Sequence, residues 1–138
     1  MAAAEPVRAA ARLMAGLNAL YEVAVGALSL FAPRAAGAVY RLAAEDLSPT
    51  ALALTRILGG LMVAHGLTLA LFVRDPERVR PLVPVLLAGG VANLLAAALP
   101  CLLGELAWAQ VAGSLAFQSL LVLALAAYAV KKIPEKGL

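Results

Sequence analysis

Four long apolar stretches separated by short polar connections constrain this chain more than any other feature. They cover residues 13–33, 51–73, 81–103 and 106–130, and the shortest of them holds 21 residues. An α-helix rises about 1.5 Å per residue, so about 20 residues cross a hydrocarbon core roughly 30 Å thick. The sequence therefore predicts an all-α fold in which residues 1–138 form a single membrane domain, a bundle of four transmembrane helices.

The composition of the chain is that of a membrane protein. Hydrophobic residues make up 64% of the sequence and charged residues 14%, whereas soluble domains average roughly 45–50% and about 25%. The net charge of +3 comes from arginines and lysines beside the apolar stretches. This placement is typical of membrane topology, so no nucleic-acid partner is predicted. With one cysteine, Cys101, and no HExxH, paired-His or Gly-rich phosphate motif, we expect neither a metal nor a cofactor.

The distribution of positive charge predicts the orientation of the helices. With four spans, the two termini and the middle connection lie on one side of the membrane. That side carries eight basic residues: Arg8, Arg12, Arg74, Arg78, Arg80, Lys131, Lys132 and Lys136. The other side carries only Arg34 and Arg41. The positive-inside rule therefore places both termini of a multi-pass membrane protein in the cytoplasm.

Local signals predict where individual helices begin and end. Residues 1–12 are an Ala-rich basic segment that we expect to continue helically into the first span, and residues 38–47 are predicted to form a short interfacial helix. Ser48, followed by proline, is predicted to be the N-cap of the second span. Asp75, also followed by proline, is predicted to cap a helix that begins at the next residue. Residues 104–105 predict a minimal turn.

Each apolar stretch places one strongly polar side chain near its centre. These residues are Glu22, His65, Asn93 and Gln118, each within three residues of the middle of its span. A carboxylate at that depth costs about 2.5–3.5 kcal/mol on insertion scales, so Glu22 is a functional-site hypothesis by default. Because each Cβ leans toward the N-terminus of its helix, Glu22 and His65 in antiparallel neighbours lean toward one another. We expect a hydrogen bond or an ion pair between them.

Other polar residues extend this layer or leave alternatives open. Nine residues are candidate ligand-binding residues: Asn18, Tyr21, Glu22, Arg56, His65, Asn93, Gln110, Ser114 and Gln118. Asn93, the two glutamines and the serines also fit a plain role in hydrogen bonding between helices. Arg56 lies nine residues before His65 and so on the opposite helical face. It fits either a site that faces a neighbouring helix or partner, or an anchor that reaches the membrane interface.

The segment TRILGGLMVAHGL, residues 55–67, resembles the opening helix of DoxX-like bacterial membrane proteins. The shared features are Arg56, Gly59 and the pair His65-Gly66. Here the segment lies in the second span, and the basic residue usual shortly after the His-Gly pair is absent. The resemblance implies a four-helix inner-membrane protein, and in some members an association with quinone-linked sulfur oxidation.

Four functions fit these residues. The first is a membrane protein that binds a lipophilic molecule, such as a quinone, a terpenoid or a lipid tail, in a pocket with a polar floor at mid-membrane. The second is an auxiliary subunit that packs against a larger membrane complex. A homo-oligomer is left open as a separate possibility for the partners of the chain. The third is an enzyme that isomerises or cyclises a hydrophobic substrate, with Glu22 and His65 as the catalytic acid–base pair. The fourth is an exporter in which a proton and a cation share Glu22.

Overall fold

The computed structural model of the protein describes residues 4–39 and 47–130, and this part of the chain is helical. The helices are α1 (Ala4–Phe31), α2 (Pro33–Val39), α3 (Pro49–Arg74), α4 (Val83–Leu102) and α5 (Trp108–Val130), with a 3₁₀ turn at Arg80–Leu82 before α4. Four of them, α1, α3, α4 and α5, are long and apolar enough to cross a membrane. The predicted all-α class and the four apolar helices are confirmed.

Two of the predicted helix ends are confirmed. α1 begins at Ala4, so the basic segment before the first apolar stretch does continue helically into it. Ser48 is the N-cap of α3, and its hydroxyl group accepts a hydrogen bond of 3.1 Å from the backbone N–H of Ala51. The predicted turn at residues 104–105 is also present, because Gly104 has a φ of 75°, which glycine adopts without strain.

Two predicted helix starts are corrected, and a third prediction lies mostly outside the described residues. A short helix follows α1 at Pro33–Val39, and residues 40–46 of the helix predicted over residues 38–47 are not among those that the structure describes. Proline opens the short helix because its missing N–H is not needed in a first turn. The side chain of Asp75 accepts the N–H of Arg78 at 3.2 Å, but it closes only a turn, and α4 begins later, at Val83. α5 begins at Trp108 and not at residue 106.

The close contact between α1 and α3 is made by glycines. A Cβ atom added at Gly26 would lie 2.8 Å from the carbonyl oxygen of Gly59, and one added at Gly59 would lie 2.7 Å from the carbonyl oxygen of Gly26. About two helical turns after Gly59 on α3, Gly66 lies against the backbone of Ala19 and the Cβ of Glu22. Small residues let two helices approach closely in lipid, so the backbones of α1 and α3 are in direct contact.

α1 lies between α3 and α5, and α4 packs mainly on α5. We call the end where α1 begins and α3 ends the arginine half, and the end where α4 ends and α5 begins the cleft half. The large buried apolar side chains lie in the arginine half and come from α3, α4 and α5: Leu69, Phe72, Leu86, Leu121 and Leu125. The apolar core therefore fills one half of the bundle.

Candidate functional site

Glu22 is the centre of a polar layer to which all four long helices contribute. Its side chain is fully buried, at 0% exposure. Its Oε2 is joined to Nδ1 of His65 by a hydrogen bond of 2.5 Å. Its Oε1 accepts hydrogen bonds from Nε2 of Gln118 at 3.2 Å and from Nδ2 of Asn93 at 3.4 Å. We call these four residues the polar layer. The contact expected between Glu22 and His65 is present.

Glycines on α3 and α4 make room for the polar layer. A Cβ atom added at Gly66, next to His65, would lie 3.1 Å from the Cβ of Glu22. A side chain at this position would therefore push α1 and α3 apart. On α4, an ideal Cβ at Gly89 would lie 2.7 Å from Nε2 of His65. The Nε2 end of the imidazole ring therefore packs against the backbone of α4 at Gly89. Glycine at position 89 therefore leaves the space that the imidazole ring of His65 occupies.

The geometry lets Glu22 and His65 share a proton. The pair has the same total charge whether the proton sits on the carboxyl group or on the imidazole, so transfer between them creates no net charge in the bundle. A lone carboxylate in this position would be strongly unfavourable, because a buried charge needs a partner and further hydrogen bonds. Of the two side chains only that of His65 is partly exposed, at 16%, and its Nε2 atom is buried.

Three buried polar atoms around the carboxylate have no hydrogen-bond partner among the described residues. They are Oδ1 of Asn18, Nε2 of His65 and Oε1 of Gln118. The backbone of Leu86 lies near the imidazole, but it makes no hydrogen bond of standard geometry to Nε2. Buried polar atoms normally have a partner. The polar layer therefore has capacity for further hydrogen bonds.

A cleft of about 270 Å³ lies between α1, α4 and α5 in the cleft half. Its lining consists of Tyr21, Ala96, Ala97, Leu106, Gln110, Val111, Gly113 and Ser114. Ala97 is one turn beyond Asn93 on α4, and Ser114 is one turn before Gln118 on α5, so the cleft lies about one turn from the polar layer. The Tyr21 ring packs edge-to-face on Phe117 with centroids 5.9 Å apart. None of the lining residues is charged.

The structure divides the nine candidate residues into separate groups. Four form the polar layer, and Tyr21, Gln110 and Ser114 line the cleft. Asn18 is fully buried one turn from Glu22, and its Nδ2 donates to the carbonyl oxygen of Met14 at 2.9 Å. The ninth, Arg56, is exposed and lies in neither group. The sequence predicted a single pocket lined by the polar layer. The structure instead has two adjacent features, the polar layer and the cleft.

Gln110 also has a structural role that the sequence analysis did not predict. Its Oε1 accepts the backbone N–H of Ala107 at 2.8 Å, which is half of a capping box and sets the first residue of α5. The apolar lining residues, such as Leu106 and Val111, were missed altogether. No sequence signal separates them, because residues that face a cleft and residues that face lipid have the same composition in a membrane protein.

Within residues 4–39 and 47–130, no three His, Cys, Asp or Glu side chains come together in a way that could hold a metal ion. No protein-family model matches the chain, and no curated protein and no solved structure is significantly similar to it. The resemblance of residues 55–67 to DoxX-like proteins stays a prediction.

Proposed function

We propose that this protein binds a neutral lipophilic small molecule in the cleft between α1, α4 and α5. In this proposal it is a multi-pass protein of the bacterial inner membrane with both termini in the cytoplasm. The observation that carries the proposal is a cleft of about 270 Å³ that opens directly beside a buried polar layer. Ligand sites combine mostly apolar walls with a few placed polar groups, and this cleft has that character.

The lining of the cleft defines the class of ligand. Tyr21, Gln110 and Ser114 offer a phenol, an amide and a hydroxyl group, all neutral, and no lining residue is charged. A charged headgroup would therefore lose its hydration without gaining a counter-charge. A carbonyl or hydroxyl headgroup suits these donors and acceptors, as found in quinones and terpenoid alcohols. Drug-sized pockets measure roughly 300–1,000 Å³, so this smaller cleft suits a headgroup whose tail extends into lipid.

The chain offers a direct binding assay. Trp108 is its only tryptophan and lies at the start of α5, two residues before Gln110. Quinones quench tryptophan fluorescence, so titration of ubiquinone-1 into the protein in nanodiscs should give saturable quenching. Farnesol, which does not quench, should compete with the quinone for the site.

A matched pair of glycine variants tests the location of the site. Gly113 lines the cleft and Gly60 does not, and a Cβ added at either would meet no atom within 4 Å. Gly113→Leu should fill the cleft and weaken quinone binding at least about tenfold, the equivalent of about 1.4 kcal/mol. Gly60→Leu should bind like the wild type. Equal affinity in both variants, or no saturable binding of either probe to the wild type, would contradict the proposal.

The Glu22–His65 pair supports a second candidate, in which the protein exchanges a proton with its substrate. The supporting observation is the 2.5 Å hydrogen bond, combined with the partial exposure of His65. Such a protein is either an acid–base enzyme on a hydrophobic substrate or a proton-coupled exporter. Efflux of ethidium from vesicles and the isomer composition of added farnesol measure the two activities.

Glu22→Gln is the decisive variant for the second candidate. It keeps the size of the side chain and removes its ability to exchange a proton. It should abolish either activity while quinone binding in the cleft persists. Efflux that does not depend on a pH gradient, together with unchanged farnesol, would reject the second candidate and leave the binding function intact.

A further inference from the structure

The arginine half ends in a surface where positive charge exceeds negative charge. Its described residues include five arginines and three carboxylates: Arg8, Arg12, Arg74, Arg78 and Arg80, with Glu5, Asp75 and Glu77. The excess matters only if some of the arginines lack a counter-charge within the protein.

One of the carboxylates is neutralised by an arginine. Oε1 of Glu77 accepts a hydrogen bond from Nη2 of Arg8 at 2.5 Å and another from the hydroxyl group of Tyr128 at 3.2 Å. Arg80 lies near the same hydroxyl group. These contacts tie the start of α1, the α3–α4 connection and the end of α5 together, and they pair Glu77 with Arg8.

Three exposed arginines at this end make no ion pair with a described residue: Arg12, Arg74 and Arg78. We call them the arginine patch. The Nε of Arg12 donates to the carbonyl oxygen of Val73 at 2.9 Å, so this cation is held at the end of α3, whose last residue is Arg74. Asp75, which follows, accepts the backbone N–H of Arg78 and makes no ion pair with a described arginine. Cations gathered at one helix end favour an anion beside them.

We propose that the arginine patch binds the phosphodiester headgroup of an anionic phospholipid such as phosphatidylglycerol or cardiolipin. Guanidinium groups match the paired oxygens of a phosphate by bidentate hydrogen bonds. The patch lies at the end of a membrane-spanning helix, at the depth where lipid phosphates are the nearest anions. Basic clusters between helix ends are known to bind such headgroups, and each cation near the surface contributes roughly a fivefold preference.

The surface of α3 below the patch suits an acyl chain. Leu71 and Leu67 lie three and seven residues before Arg74, on the same helical face, and they are 52% and 54% exposed. A phospholipid with its phosphate at Arg74 therefore lays one chain along these leucines. A free phosphate ion gains nothing from them, so the structure favours a lipid as the source of the anion.

Native mass spectrometry of the full-length protein from nanodiscs that contain phosphatidylcholine and phosphatidylglycerol tests this site. The double variant Arg74→Gln/Arg78→Gln should retain roughly 10- to 30-fold less phosphatidylglycerol than the wild type, from roughly fivefold per charge. Arg74→Lys/Arg78→Lys keeps the charge and should retain most of the lipid. Both variants change only exposed side chains, and circular dichroism checks that they remain folded.

A matched control uses Arg34→Gln/Arg56→Gln, which removes the same charge from two exposed positions away from this end. It should change retention less than about twofold, since it leaves every cation at the patch in place. Glycerol 3-phosphate at equal concentration should not displace the lipid. Equal retention of phosphatidylglycerol and phosphatidylcholine by the wild type, an equal loss in the control, or displacement by glycerol 3-phosphate would each overturn the proposal.

Discussion

The two halves of the bundle, on either side of the polar layer, are built differently. In the arginine half, large side chains such as Phe72 and Leu125 are fully buried, and the Phe72 ring packs edge-to-face on Tyr128 at 5.1 Å. In the cleft half, α1 and α3 touch through the backbones of Gly26 and Gly59, while α1, α4 and α5 leave an open cleft. One half is filled by side chains, and the other half combines a direct backbone contact with a space.

This difference teaches how a small bundle can keep both a fixed shape and an open site. Within the described residues, contacts between helices hold the bundle together, and dispersion between well-packed side chains stabilises these contacts. With its apolar core at one end, the protein can leave space at the other end without losing that core. The polar layer lies at the junction and joins all four long helices by hydrogen bonds to one carboxylate.

The largest expected effect is at the junction of the halves. Glu22→Leu removes three hydrogen bonds and leaves polar atoms of the half-buried His65 and Asn93 and of the buried Gln118 without this partner. We expect a loss of about 3–5 kcal/mol, the usual result of removing one partner of a buried pair. Unfolding of the protein in mixed micelles by sodium dodecyl sulfate measures it. A loss below 1 kcal/mol would show that the halves hold together without the layer.

The next effect tests the packing of the arginine half. Leu125 is fully buried, so Leu125→Ala should leave a cavity and reduce the free energy of unfolding by about 2–4 kcal/mol. Leu123→Ala on the exposed face of the same helix is the control and should change stability by less than about 0.5 kcal/mol. Similar losses in both variants would mean that the two faces of α5 do not differ in packing.

In the cleft half, we expect the protein to be destabilised by a substitution that adds a side-chain atom, and not by one that leaves a cavity. Gly59→Ala places a Cβ 2.7 Å from the carbonyl oxygen of Gly26 and forces α1 and α3 apart. We expect a loss of about 1–3 kcal/mol in the same unfolding assay. Gly60→Ala adds the same methyl group where it meets no atom within 4 Å, and it should be neutral or stabilising. Stability losses of the same size at both glycines would contradict the conclusion that a direct backbone contact holds the cleft half together.

The smallest effect concerns the outer rim of the arginine half. Tyr128→Phe removes the hydrogen bonds of the hydroxyl group to Glu77 at 3.2 Å and to the carbonyl oxygen of Pro76 at 3.4 Å, while the ring keeps its contact with Phe72. We expect a loss of about 0.5–1.5 kcal/mol. Thermal unfolding monitored by circular dichroism measures it. If Tyr128→Phe lowered the free energy of unfolding as much as Leu125→Ala, the hydrogen bonds at the rim would stabilise this half as much as its apolar core does.

The helix pattern was accessible from the sequence because it depends on local properties. Apolar length predicted the four long helices, and Ser48 followed by proline predicted the start of α3. The depth of Glu22 and His65 within their spans predicted that the two would meet. Two helix starts were predicted wrongly, because contacts between neighbouring residues decide them and apolar length does not. The start of α4 depends on a 3₁₀ turn after Asp75, and the start of α5 on a side-chain cap from Gln110.

The sequence by itself determined the fold class, the number of long helices and the level of each polar residue along its helix, because these follow from length and position alone. Only the tertiary structure decided how each helix is rotated. Rotation placed Arg56 outside the bundle and separated Tyr21, Gln110 and Ser114 from the polar layer as the lining of a cleft. The physical reason is that lipid is as apolar as a neighbouring helix, so hydrophobicity does not show which face packs inward. Close contacts between small residues settle it, and these exist only once the helices are assembled.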